Sequence, residues 1–202
     1  MTLSQFIRDN MEAILNEWQE FAASIPSAAG MDVRGLRDDA ENILLAIALD
    51  MESAQSIEEQ SAKSRGSDRR RGGKTDTAAE MHGGTRFVEG FNLKEMVSEY
   101  RALRASVIRQ WLVTPAAGQQ DRLYELIRFN EGIDQALTES IARFSDRLDR
   151  SRELFMGVLS HDLRTPVHVI RQSVPLLLRS SGNTQQQREA ASYIDRSSVA
   201  IL

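Results

Sequence analysis

Apolar residues recur at helical intervals from the start of the chain. Ile7, Met11, Ile14, Trp18, Phe21 and Ile25 follow in alternating steps of four and three, one stripe of an amphipathic helix. Pro26 and the Ser-Ala-Ala-Gly that follows end it. A second helix is predicted from about residue 32 to residue 60, with Leu36, Ala40, Ile43, Ile47 and Met51 on one face. Leu44 and Ala48 widen that face, which makes this helix the more buried of the two. The pattern then stops. Residues 61–76 carry six basic and two acidic side chains without apolar periodicity, and the flexible stretch is taken as 61–90.

Periodicity returns at Asn92-Leu93-Lys94-Glu95, a helix start in which Asn92 accepts from a first-turn amide and Glu95 reaches back. Leu93, Val97, Tyr100, Leu103, Val107 and Trp111 follow before Pro115 breaks the run. The next helix begins near Gln119 with Leu123, Ile127, Ile133, Leu137, Ile141, Phe144 and Leu148, and no stop signal comes after it. The stripe passes through Ser151, Phe155 and Val158. Asn130 and Asp134 interrupt it, and Phe129 and Ile133 beside them shift the buried face. One nearly continuous helix from Gln119 to Ser180 would be about 90 Å long at 1.5 Å per residue. A helix of that length is expected to join two domains or to pair with a copy of itself. Ser180-Ser181-Gly182-Asn183 reads as a turn. A last helix with Ala190, Tyr193, Ile194 and Ala200 reaches Leu202 without a cap, so the chain is expected to be a fragment.

The fold class that follows is all-α. An N-terminal antiparallel bundle (1–146) is joined by a long helix to a helical hairpin (147–202) whose second helix is incomplete. Composition narrows the function. Apolar residues make up 41 % of 202, with only four prolines and twelve glycines, which suits packed helices rather than a linker or an all-β chain. The net charge of -4 and the lack of a second basic helix disfavour nucleic acid as a partner. Cysteine is absent, which excludes disulfides, thiolate metal sites and a cysteine nucleophile. The longest apolar run, Ile43 to Leu49, is far short of the roughly 20 residues that cross a bilayer. With no basic and apolar leader at the N-terminus, a cytoplasmic location and no membrane contact are expected.

Residues 155–166, Phe-Met-Gly-Val-Leu-Ser-His-Asp-Leu-Arg-Thr-Pro, carry the chemistry. At 100° per residue Phe155, Leu159 and Leu163 cluster within about 80°, and His161 points roughly opposite. An imidazole exposed on a helix beside a carboxylate is what a phosphoryl acceptor needs: access for a donor, and one ring nitrogen free to attack. Asp162 can hydrogen-bond the ring, hold its tautomer and take its proton. Thr165 lies one turn on, with a hydroxyl able to position a water. Pro166 removes an intrahelical hydrogen bond. A lone histidine in such a place would more often be one polar residue of a solvated face.

The whole string, however, resembles the H-box of bacterial sensor histidine kinases, where Phe, Ser-His-Asp/Glu and Leu-Arg-Thr-Pro recur in this order. The resemblance implies that His161 is the phosphorylated histidine and Asp162 the acid that assists. Asp162 with Thr165 matches the Glu/Asp-x-x-Thr/Asn pattern used to dephosphorylate the response regulator. His168 lies outside the motif and receives no role. It further implies a two-helix hairpin that dimerises into a four-helix bundle, a homodimer, and a response-regulator receiver domain as partner. An ATP-binding domain, with ATP and Mg²⁺, is expected beyond this sequence, so these residues bind no cofactor and are inactive alone.

In the N-terminal part the distinctive strings are Met81-His82-Gly83-Gly84-Thr85-Arg86, Gly90-Phe91-Asn92-Leu93 and Glu99-Tyr100-Arg101-Ala102-Leu103-Arg104. They resemble the helical sensor domain of stressosome co-antagonist proteins, which implies an input domain for an unidentified signal or partner. Trp18, Phe91, Tyr100 and Trp111 sit among aliphatics and read as core rather than as a ligand cavity. His82 has too few potential co-ligands for a metal site. Glu99, Arg101 and Arg104 form either a solvated face or a buried ion-pair network. The competing reading of the chain is a non-catalytic, stressosome-like scaffold in which His161 is incidental. A stand-alone phosphotransfer shuttle is a third, opposed by the uncapped end.

Overall fold

The computed structural model describes residues 1–28, 33–53, 76–114, 119–179 and 184–199. They contain seven α-helices and no strand, the all-α class expected. In order these are α1 (Leu3–Asp9), α2 (Met11–Ala22), α3 (Val33–Glu52), α4 (Ala78–Val88), α5 (Leu93–Leu112), α6 (Gln119–Arg179) and α7 (Thr184–Val199), with a 3₁₀ turn at Pro26–Ala28. The basic loop 61–75, the end of the second predicted helix at 54–60 and the turn at 180–183 lie outside the described residues. The chain divides into two units, Met1–Leu148 and Asp149–Leu202.

In the first unit the stripe expected to form one helix is broken at Asn10, which closes α1 and opens α2. Its backbone N–H and its Nδ2 both donate to the Phe6 carbonyl, at 3.0 and 2.9 Å. A side chain that competes for backbone acceptors ends the helical ladder there. The apolar spacing survives the break: Ile7, Met11, Ile14 and Trp18 are all buried, while Phe21 is partly exposed. Ala40, Ile43, Leu44, Ile47 and Ala48 form the inner face of α3, as the pattern required.

The second difference concerns residues 78–88, which were expected within a flexible stretch and instead form α4. Thr77 and Glu80 make a full capping box: the Glu80 amide donates to Thr77 Oγ1 at 3.1 Å and the Thr77 amide to Glu80 Oε2 at 2.8 Å. Two adjacent glycines hide this helix from a propensity argument. They are there for packing. A Cβ on Gly83 would come within 2.8 Å of the backbone C and Cα of Ser140 on α6, and closer still to its carbonyl oxygen. Backbone therefore lies on backbone where α4 crosses α6. Gly90, at φ +81°, reverses the chain into α5, whose Asn92–Glu95 capping box is the one predicted.

α6 enters this bundle with Phe129, Ile133, Ala136, Ser140 and Phe144 inward. Leu123 and Ile127 are exposed, so the buried face does move to Phe129 and Ile133. Trp18, Phe91, Tyr100 and Trp111 are buried core residues, and the Phe6 and Trp111 rings meet at 5.2 Å between centroids. In the second unit α6 continues to Arg179 and α7 follows. Its buried positions include Pro166 and Ser173 on α6 and Ala190 and Ser197 on α7. No helix among the described residues is long and apolar enough to cross a membrane.

Candidate phospho-acceptor site and a buried charge cluster

The helix around His161 is regular through two internal prolines, Pro166 and Pro175. Pro166 has no N–H to give to the carbonyl four residues back, that of Asp162, so the ladder lacks one bond directly at the site. His161 is 80 % exposed and Asp162 69 % exposed. His161 Nδ1 stands 3.3 Å from Asp162 Oδ1. An Nδ1–H facing the carboxylate leaves the Nε2 lone pair to solvent, the tautomer that can attack an incoming electrophile. Thr165 is exposed on the same face of α6, four residues on, and His168 follows with its Nε2 2.8 Å from Gln172 Nε2. His161, Asp162 and Thr165 are thus accessible together on one stretch of helix.

The opposite face departs from expectation. Phe155 is 65 % exposed and Leu159 39 % exposed, and only Leu163 is half-buried. The apolar side predicted to be inward is thus largely exposed around Phe155.

Residues 151–202 match the family model of the His Kinase A (phospho-acceptor) domain. The C-terminal segment is therefore a histidine-kinase phospho-acceptor region, and the match takes in the end of α6 and the whole of α7. No curated protein and no solved structure matches the chain. The match begins at Ser151, after the end of the first unit, so nothing in it bears on the N-terminal bundle.

That bundle holds a second chemical cluster, which the sequence did not reveal. His82 and Glu99 are each 2 % exposed and Arg86 1 %. Arg86 Nε donates to both Glu99 carboxylate oxygens at 3.0 and 2.9 Å, and its Nη1 to Glu89 Oε2 at 2.8 Å. His82 lies between two carboxylates, with Nε2 3.3 Å from Glu99 Oε2 and Nδ1 3.4 Å from Asp39 Oδ2. Burial alone would lower the His82 pKa. The pull of Asp39 and Glu99 on its two ring nitrogens outweighs this and raises it above the ordinary value. The Tyr100 ring meets His82 edge-on at 5.5 Å, and its hydroxyl shares a 2.7 Å hydrogen bond with Ser140 Oγ. Burial pushes that hydroxyl's pKa up.

The Glu99, Arg101 and Arg104 group is thereby resolved residue by residue. Glu99 belongs to the buried network, Arg101 is exposed, and Arg104 pairs with Asp134 at the surface. The available signal was the four-residue step from His82 to Arg86, which puts both on one face of α4. Among the described residues no group of three or more His, Asp or Glu side chains is placed to hold a metal ion.

Proposed function

We propose that the chain is the input and phospho-acceptor part of a two-component sensor histidine kinase, with His161 as the phosphorylated residue. The observation that carries this is the exposed His161–Asp162 pair inside the segment that matches a phospho-acceptor domain. An ATP-binding domain outside these residues presents MgATP. His161 Nε2 attacks the γ-phosphorus, a P–N bond forms, the bond to the bridging oxygen breaks, and ADP departs. Asp162 holds Nδ1–H through the attack and accepts that proton as positive charge develops on the ring. The phosphoryl group then passes to a receiver-domain aspartate, whose carboxylate oxygen displaces the imidazole. In the reverse direction of regulation Thr165 positions the water that hydrolyses the receiver's acyl phosphate.

The exposed apolar face around Phe155 and Val158 suits a second copy of the hairpin, which would complete a four-helix bundle. Residues 1–148 then act as the sensor, of the type found in stressosome co-antagonist proteins, and α6 links it to His161. The test is incubation of the full-length gene product with γ-labelled ATP and Mg²⁺, beside its His161→Gln variant. Acid-labile, base-stable label lost in the variant is expected. Label that survives the substitution, or no label at all, overturns the reading, and the latter favours a scaffold. Because His161 is so exposed, the variant should unfold within about 0.5 kcal/mol of the wild type, which calorimetry checks.

A further inference from the structure

We propose that His82 is a proton-operated latch of the N-terminal bundle, which holds α4 to α3 and α5 when doubly protonated and loosens α4 from α6 when it loses a proton. Both ring nitrogens face carboxylate oxygens, Asp39 from α3 and Glu99 from α5. A neutral imidazole has one N–H and one lone pair. It can satisfy one of these carboxylates and must turn its lone pair to the other. Only the imidazolium suits the site as built.

The surrounding charges agree. Arg86 on α4, Asp39 on α3, Glu99 on α5 and Glu89 just past α4 make three carboxylates against one guanidinium, and a proton on His82 supplies the second cation. The remaining neighbours are Trp18 of α2, which lines the same small cavity, and Tyr100 of α5, toward which α6 brings Glu139. His82 Nδ1 and Asp39 Oδ2 stand 3.4 Å apart without a formed hydrogen bond, so this contact is attractive only when the ring carries a proton on both nitrogens.

The latch connects to α6 by two routes. Gly83, the next residue, has its backbone against that of Ser140, and Tyr100, edge-on to the imidazole, hydrogen-bonds the Ser140 hydroxyl. Ser140 Oγ in turn reaches the Ala79 carbonyl on α4. Release of His82 from Asp39 or Glu99 therefore moves the surface on which α6 rests. If the chain serves a histidine kinase, as proposed above, a rise in pH is an input that reaches the helix bearing His161. A folded-state pKa raised above the unfolded value means that the stabilisation is complete below about pH 6.5 and is lost as pH rises through the folded value.

The test uses the 202-residue chain, with ¹⁵N-histidine NMR, thermal unfolding and amide exchange followed from pH 5.5 to 9. One histidine should keep its charge above the ordinary range, with its signal absent in His82→Gln. The melting temperature should fall over the same pH range, and this fall should be lost in the variant. Protection of amides 136–144, corrected for intrinsic rates, should drop in parallel. Tyr100→Phe keeps His82, its carboxylates and the Gly83 contact, and should leave the histidine titration in place while the exchange of 136–144 becomes less dependent on pH. A His82 that is neutral throughout, or a pH-independent exchange in the wild type, overturns the latch even if His82→Gln does not fold. None of these readouts involves phosphorylation, so failure of the latch and failure of the kinase reading are separate results.

Discussion

Replacing Gly83, Gly84, Gly132 and Gly157 by alanine in turn tests whether the α4–α6 contact is as close as it stands. At Gly83 the added methyl would meet the C and Cα of Ser140 at 2.8 Å, whereas carbon atoms pack at about 3.5–4.0 Å. The obstacle is backbone, so the helices must part by roughly 1 Å. Overpacking of this kind costs about 1–3 kcal/mol. Separation also weakens the Ser140–Ala79 and Tyr100–Ser140 hydrogen bonds, at about 1 kcal/mol each. Alanine returns about 1 kcal/mol through helix propensity. The net expectation is a loss of roughly 2–4 kcal/mol. At Gly132 the obstacle is the Cγ2 methyl of Ile47 at 2.9 Å, a side-chain end that can yield, so the loss should be smaller. At Gly84 only the Arg147 guanidinium stands near, at 3.1 Å, and the change should be close to neutral. At Gly157, one turn before His161, nothing lies within 4 Å and alanine should stabilise by up to about 1 kcal/mol. Urea denaturation gives the ranking: Trp18 and Trp111 fluorescence reports the first unit, and far-UV ellipticity the helix of the second. A Gly83→Ala protein within about 0.5 kcal/mol of the wild type would refute the close approach and with it the backbone route from His82 to α6.

Glu99→Gln removes the carboxylate shared by Arg86 and His82 and should cost about 3–5 kcal/mol, read as a lower urea midpoint of Trp18 fluorescence. Glu95 titrates below its ordinary range because the Asn92 amide and the Ser27 hydroxyl donate to its carboxylate. Its contribution is thus present above the ordinary glutamate pKa and lost as pH falls through the lowered value. Glu95→Gln should flatten the acid limb of the stability profile, and an unchanged limb would show that the capping box does not matter there.

The periodic stripes were enough to place α2, α3, α5 and α6, and the Asn92–Glu95 box located the start of α5 to the residue. The H-box string picked out His161, Asp162 and Thr165, and the helix carries them exposed on one stretch. The helix readings succeeded because helix periodicity and capping are local properties of the chain. The break at Asn10 was also local, but it turned on one side chain choosing the Phe6 carbonyl over solvent, a choice periodicity does not encode. α4 escaped notice because its glycines are unfavourable to an isolated helix and make sense only against Ser140, which lies far along the sequence.

The sequence by itself determined that the chain is helical and that His161 stands exposed on a helix beside Asp162. The tertiary structure alone decided which charges are buried together: Asp39, His82, Arg86 and Glu99 come from three helices, and Arg101 and Arg104, in the same string as Glu99, remain at the surface. The reason is that desolvation and Coulomb attraction act through space, so a residue's charged partners follow from how helix faces meet and not from spacing along the chain.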